Sequence, residues 1–282
     1  MSADNLVLVA TCAATALAAV WIAWRGRRLP VVAPRATPSS ASAAALDALR
    51  TLACVLTAGF IAGLFIIGFG GRLVMRVLAA TSGVNAQGRS TDAGERVGEI
   101  TFDGTIGFFV FAGIFFPLAT SLLFIPLRRI LPRRAWIAGL LFGLLLLATL
   151  GVSDPLSPDN IDFSILSPTW LAVTLVCLTA FLFGMTFSAI VAQLDATLVS
   201  MDQLRSDAPR RHKIANVSFL WLIPLFPLVV PAGLYVAGRA VLHGRAAPAI
   251  NTLALRLAGH AVVAVGAAVA LVAVVGALNQ IV

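Results

Sequence analysis

Residues 51–70, TLACVLTAGFIAGLFIIGFG, run without a break into residues 71–83, GRLVMRVLAATSG, and the first of these segments decides the fold. It carries no charge. As a helix rising about 1.5 Å per residue it covers the ~30 Å hydrocarbon layer of a bilayer. In lipid every backbone N–H and C=O must be paired inside the segment or around a closed barrel, and an unbroken run of this length is a helix. Comparable runs at 6–24, 106–126, 135–153, 169–190, 217–237 and 257–279 predict an all-α, polytopic transmembrane helical bundle of about seven spans. In the alternative, the proline-broken WLIPLFPLVVP at 221–231 is re-entrant and six crossings remain.

Composition agrees with this reading. The chain is 60% hydrophobic and 11% charged, with mean hydropathy +0.98, whereas soluble domains carry about 25% charged residues. A net charge of +8 would point a soluble protein toward nucleic acid. In so apolar a chain the basic residues flank spans and set topology, so the expected partner is the lipid bilayer and not nucleic acid. Cys12, Cys54 and Cys177 lie in apolar runs with no CxxC spacing and read as core residues.

The first run follows Asp4 and precedes RGRR, the reverse of secretory charge order, so it reads as a retained span. Counted loop by loop, thirteen Lys and Arg fall on one side and seven on the other. The positive-inside rule then puts the N-terminus outside and the C-terminus inside a bacterial cytoplasmic membrane. Arg239, Arg245 and Arg256 lie on the disfavoured side in this count, and a re-entrant sixth segment would move them. Residues 1–50 read as the first span and a Pro-, Ser- and Ala-rich cytoplasmic linker with a helix start near Asp47; residues 51–282 form the bundle. Beyond span five, Val191, Leu194, Leu198, Met201 and Leu204 recur at helical spacing, with Asp195 and Asp202 elsewhere on the wheel, which predicts an amphipathic cytoplasmic extension.

The longest polar stretch, within residues 71–105, reads as an extracytoplasmic cap loop. Arg72 and Arg76 share one helical face and repel, so something must compensate them. Arg72, Arg76, Arg89 and Arg96 are matched in number by Asp92, Glu95, Glu99 and Asp103. Gly83 is a helix stop, Gly88, Gly94 and Gly98 punctuate the loop, RVGEITF alternates like a strand, and Asp103 is a candidate N-cap. The expectation is a loop folded back over the bundle by arginine–carboxylate pairs. The functional variant leaves one arginine free for an anionic lipid or small anion, with Pro224, Pro227 and Pro231 of span six as a hinge.

The segments GGRLVMRVLAATSG and GRSTDAGERVGEITFDGT resemble a signature of uncharacterised multi-span membrane proteins from high-GC Gram-positive bacteria. The resemblance covers residues 68–105 and implies a bacterial cytoplasmic membrane protein; it brings no catalytic residue with it.

No GxSxG, HExxH, Walker or kinase pattern occurs, so neither an enzyme, a cofactor nor a metal is expected. His212, His243 and His260 lack the matched depth of a haem pair, and His243 and His260 with Asp154, Asp159 and Asp162 lack zinc-ligand spacing. Gly59 with Gly63 and Gly139 with Gly143 fit close helix packing inside the bundle. The functional expectation is binding or transport of a small anionic or lipidic ligand at the outer face. The alternative is an assembly protein holding a membrane-protein partner.

Overall fold

A computed structural model describes residues 3–31, 40–197, 226–242 and 253–281. The helices are α1 (Ala3–Gly26), α2 (Ala41–Thr81), α3 (Phe102–Leu127), α4 (Ala135–Gly151), α5 (Thr169–Thr197), α6 (Phe226–Val241) and α7 (Leu253–Ile281), with a single turn at Asp162–Ile165. Among the described residues there is no strand. Isolated bridges join Ser90 to Arg96 and Pro30 to Arg134. Within the described residues α2, α3, α5 and the Gly259–Ile281 part of α7 are long and apolar enough to cross a membrane, and α4 is a shorter apolar helix.

Helix α2 begins earlier than expected because Ser40, not a residue near Asp47, caps it: its hydroxyl accepts from Ala43 N at 3.2 Å. Likewise Thr101 caps α3 by accepting from Gly104 N at 3.2 Å, and Asp103 sits in the first turn, where its charge favours the helix dipole. With 41 residues, α2 is about 62 Å long, twice a hydrocarbon layer. Arg50 and Arg72 stand roughly 33 Å apart along it, so they bracket an apolar stretch one bilayer thick.

Glycine seams set the packing. Gly63–Gly70 of α2 and Phe109–Phe115 of α3 are π-helical and face each other, with Gly113 against Gly68 and Gly63 against Pro117. A widened turn brings carbonyls outward, and glycine lets the partner backbone approach there. Gly139 and Gly143 meet Gly184 and Ala180 across the α4–α5 crossing, so the expected close-packing glycines join helices within the chain. Around this crossing Phe124, Phe142, Phe183 and Phe187 pack fully buried, Phe124 edge-on to Phe142 and Phe187 at 5.1 and 4.9 Å.

The bundle has two distinct ends. At one, the loops after α1 and α3 are tied together by Val31 N–Arg133 O at 2.9 Å and Ala135 N–Leu29 O at 3.1 Å. This is the arginine-rich end. At the other, the cap loop meets the loop after α4 through Asp92 N–Asp162 Oδ1 at 2.9 Å and Ser167 N–Ser82 Oγ at 3.0 Å.

Helices α6 and α7 run differently from the expectation. Arg239, in the last turn of α6, shares a cleft with Arg129 at the arginine-rich end. Helix α7 starts there, with Gly259 against Ile130, and finishes at the cap end, where Val274, Leu278 and Ile281 join Leu147, Leu156 and Phe163. Helix α5 also ends at the arginine-rich end, where Asp195 meets Arg50. Sequence counting had placed Arg239 at the end opposite to the close of α5 and had run the C-terminal helix the other way. Pro227 and Pro231 fall in the first turns of α6; Pro224, like Leu198, Met201, Asp202, Leu204, His212 and His243, lies outside the described residues.

Candidate functional site

The cap is built first by backbone. Gly83, Gly88, Gly94 and Gly98, the four glycines expected to punctuate it, all take positive φ, from +73° to +88°. These turns let Gly88 N donate to Val97 O at 2.9 Å, Val97 N to Arg89 O at 3.0 Å and Thr91 N to Glu95 O at 2.7 Å. The alternating RVGEITF thus contributes one narrow bridge and not a strand. A small apolar nucleus of Ala86, Val97 and Ile165 anchors the loop to the chain after α4.

Arg72 and Arg76 do meet the cap, through oxygens of a different kind from those expected. Arg72 Nη2 donates to the Gly104 carbonyl and its guanidinium lies 4.9 Å from the centre of the Phe108 ring. Arg76 donates to the Gly98 and Glu99 carbonyls, each at 3.2 Å. The carboxylates of Asp92, Glu95, Glu99 and Asp103 are on exposed residues. Glu95 accepts from Thr101 Oγ1 at 3.0 Å and acts on Arg72 only through space. Arg89 is exposed, and Arg96 pairs with Glu99 at 3.7 Å with both side chains more than half exposed, a contact worth little in water. The arginine–carboxylate cap is therefore corrected to an arginine–carbonyl cap. A folded loop can turn carbonyls toward a helix end without desolvating a carboxylate.

Arg72→Gln is expected to destabilise the full-length protein in detergent by about 1.5–3 kcal/mol, the range for a hydrogen bond to a charged group. Asp92→Asn and Glu99→Gln should stay within about 0.5 kcal/mol of wild type, as exposed substitutions do. Equal losses in thermal stability for the arginine and carboxylate variants would restore the ion-pair cap.

Asp162, after α4, also reaches the cap, where its carboxylate accepts from the Asp92 backbone N–H at 2.9 Å. Burial pushes its carboxyl above the ordinary range, and the N–H bond from Asp92 pulls it part of the way back. A group whose folded pKa is raised favours folding most when protonated, so its contribution falls as pH rises from 3.8 through the raised value. Asp162→Asn keeps an acceptor for Asp92, and its thermal stability should show a flatter profile between pH 4 and neutrality than wild type does.

The opposite end holds the residues that sequence reasoning missed. Arg50 Nη1 and Asp195 Oδ1 form an ion pair at 3.4 Å, with side chains 4% and 1% exposed, and Arg50 Nη2 also donates to the Asp195 carbonyl at 3.1 Å. Asp195 is thus in the core and not on the wet face of an amphipathic extension, because α2 and α5 cross there. Arg128, also buried, donates to Thr51 Oγ1 at 3.2 Å. The available signal was a single acid inside the apolar run SAIVAQLDATL (188–198), opposite in charge to a single base at the head of span two.

Two clefts open at this end. One, of about 360 Å³, lies between α2, α3 and α6, with Arg129, Arg239 and Tyr235 around a floor of Leu52, Leu122, Ile125 and Pro126. The other, of about 660 Å³, lies between α1, α4 and α5, with Arg27, Arg28 and Arg134 beside Trp24 and Trp136 and the buried Thr186 at its base. His260 is exposed on α7 one residue from Gly259, at the far end from Asp154, Asp159 and Asp162, so the structure does not bring that metal-ligand combination together.

The described fold is all-helical, with four helices long and apolar enough to cross a membrane. No protein-family model, curated protein or solved structure matches the chain, so the case for its function rests on its own residues.

Proposed function

We propose that the chain is a multi-pass protein of a bacterial cytoplasmic membrane that binds an anionic or lipidic ligand, and that the ligand sits at its arginine-rich end. One observation carries this: the clefts among guanidinium groups are at that end, whereas Arg72 and Arg76 are engaged by loop carbonyls. The ligand class is the one the sequence led to, on the other face of the bundle.

The proposed topology has six crossings, α1 to α5 and α7, with α6 closing on the side where α5 closes. Both termini then lie with the cap outside. Support comes from charge as well as from helix direction. With the connection between α6 and α7 on the arginine-rich side, Arg239, Arg245 and Arg256 join the cytoplasmic set, and only Arg72, Arg76, Arg89 and Arg96 of the twenty basic residues remain outside.

The topology is tested on a variant freed of Cys12, Cys54 and Cys177 and carrying one new cysteine, at Asp92, at Arg133 or after residue 282. In intact bacterial cells a membrane-impermeant maleimide is expected to label the first and third positions, and Arg133→Cys only after lysis. Labelling of the C-terminal cysteine only after lysis would return seven spans. For the ligand, lipids carried through purification should be enriched in anionic species over the host membrane; a host-average lipid profile would overturn the reading.

A further inference from the structure

We propose that the cleft between α2, α3 and α6 is a binding site for an anionic phospholipid, its phosphate between Arg129 and Arg239 and an acyl chain on Leu52, Leu122, Ile125 and Pro126. The inference rests on the ligand class proposed above and assigns it a site.

Two guanidinium groups border one opening of about 360 Å³, within the range of small-ligand pockets. Among the described residues neither is hydrogen-bonded to a carboxylate. Asp47 acts on Arg129 through space and offsets part of the charge. Arg239 Nε and the neighbouring Arg128 Nη1 are buried without a hydrogen-bond partner, and a buried donor left unpaired is costly. Arg129 keeps an exposed face, and partial desolvation of its guanidinium, with next the nearby Arg239, presses it below its ordinary value. An anion between Arg129 and Arg239 gives Arg239 a charged acceptor and offsets the repulsion between the two guanidinium groups.

The rest of the cleft decides what kind of anion. Its floor is aliphatic, and Tyr235 adds a ring with one polar end to the lining. Arg129 follows α3 by two residues and Arg239 is in the last turn of α6, the depth at which a leaflet's phosphates meet basic residues. Inorganic phosphate would use the guanidinium groups and leave the floor bare. A phospholipid uses both.

The test uses the full chain in neutral detergent micelles doped with phosphatidylglycerol, with phosphatidylcholine of the same acyl chains, or with inorganic phosphate instead. Thermal shift and native mass spectrometry are the readouts. Phosphatidylglycerol is expected to raise the melting temperature and to remain bound, and the other two are not. The double variant Arg129→Gln/Arg239→Gln should bind it about ten- to hundredfold more weakly. Leu122→Trp, which fills the floor and keeps both arginines, should also lose it, so the outcome does not hang on the double variant folding. Phosphatidylglycerol binding unchanged in both variants would overturn the site. If that binding instead disappears in Arg27→Gln/Arg28→Gln/Arg134→Gln, the arginine-rich end keeps its function in the other cleft. An equal shift from inorganic phosphate makes this a free-anion site and removes the lipid. No response of the wild type to phosphatidylglycerol removes both the site and the ligand class.

Discussion

Asp195→Ala is expected to destabilise the full-length protein by about 3–5 kcal/mol, the cost of breaking a buried ion pair from one side. Arg50 is 4% exposed at its side chain and bonds both the carboxylate and the carbonyl of Asp195, so removing the carboxylate takes a counter-charge away from a buried guanidinium in the crossing of α2 and α5. The pair's worth is a separate quantity. Desolvating two charges offsets most of their attraction, so Arg50→Met/Asp195→Leu should recover most of the loss. Thermal unfolding in detergent, followed by circular dichroism, separates the cases. A double variant as unstable as Asp195→Ala would mean that the charges themselves hold the crossing.

The second large effect is at the α4–α5 crossing. A Cβ on Gly184 would run into the Gly139 carbonyl and come within 2.8 Å of Gly143 N, both backbone atoms with no rotamer to give way. Gly184→Ala should cost about 1–3 kcal/mol as an overpacked site, and Gly184→Leu should leave no monodisperse protein on gel filtration. Gly276 of α7 faces open space, so Gly276→Ala at another helical glycine should be neutral or slightly stabilising. A Gly184→Leu variant that purifies and melts like wild type would show that α4 and α5 do not meet this closely.

The cap shows how a correct local reading can carry a wrong chemical one. Gly83, Gly88, Gly94 and Gly98 were legible because positive φ is a property of single residues, and each has it. Equal numbers of arginines and acids were legible too. That equality gave no partner for Arg72, because the loop's path, fixed by Ala86, Val97 and Ile165 packing together, turns its carbonyls to the helix end and leaves the acidic residues exposed.

By itself the sequence determined the helical class, the apolar length of four of the helices, the punctuation of the cap and the glycines that allow close approach, since each follows from hydropathy or backbone freedom over a few neighbouring residues. Only the tertiary structure decided that Arg50 meets Asp195, 145 positions away, that α6 ends at the same end of the bundle as α5, and that Arg129 and Arg239 face one cleft. Those depend on which way each helix runs and which face it buries, and hydropathy, identical in either direction, contains neither.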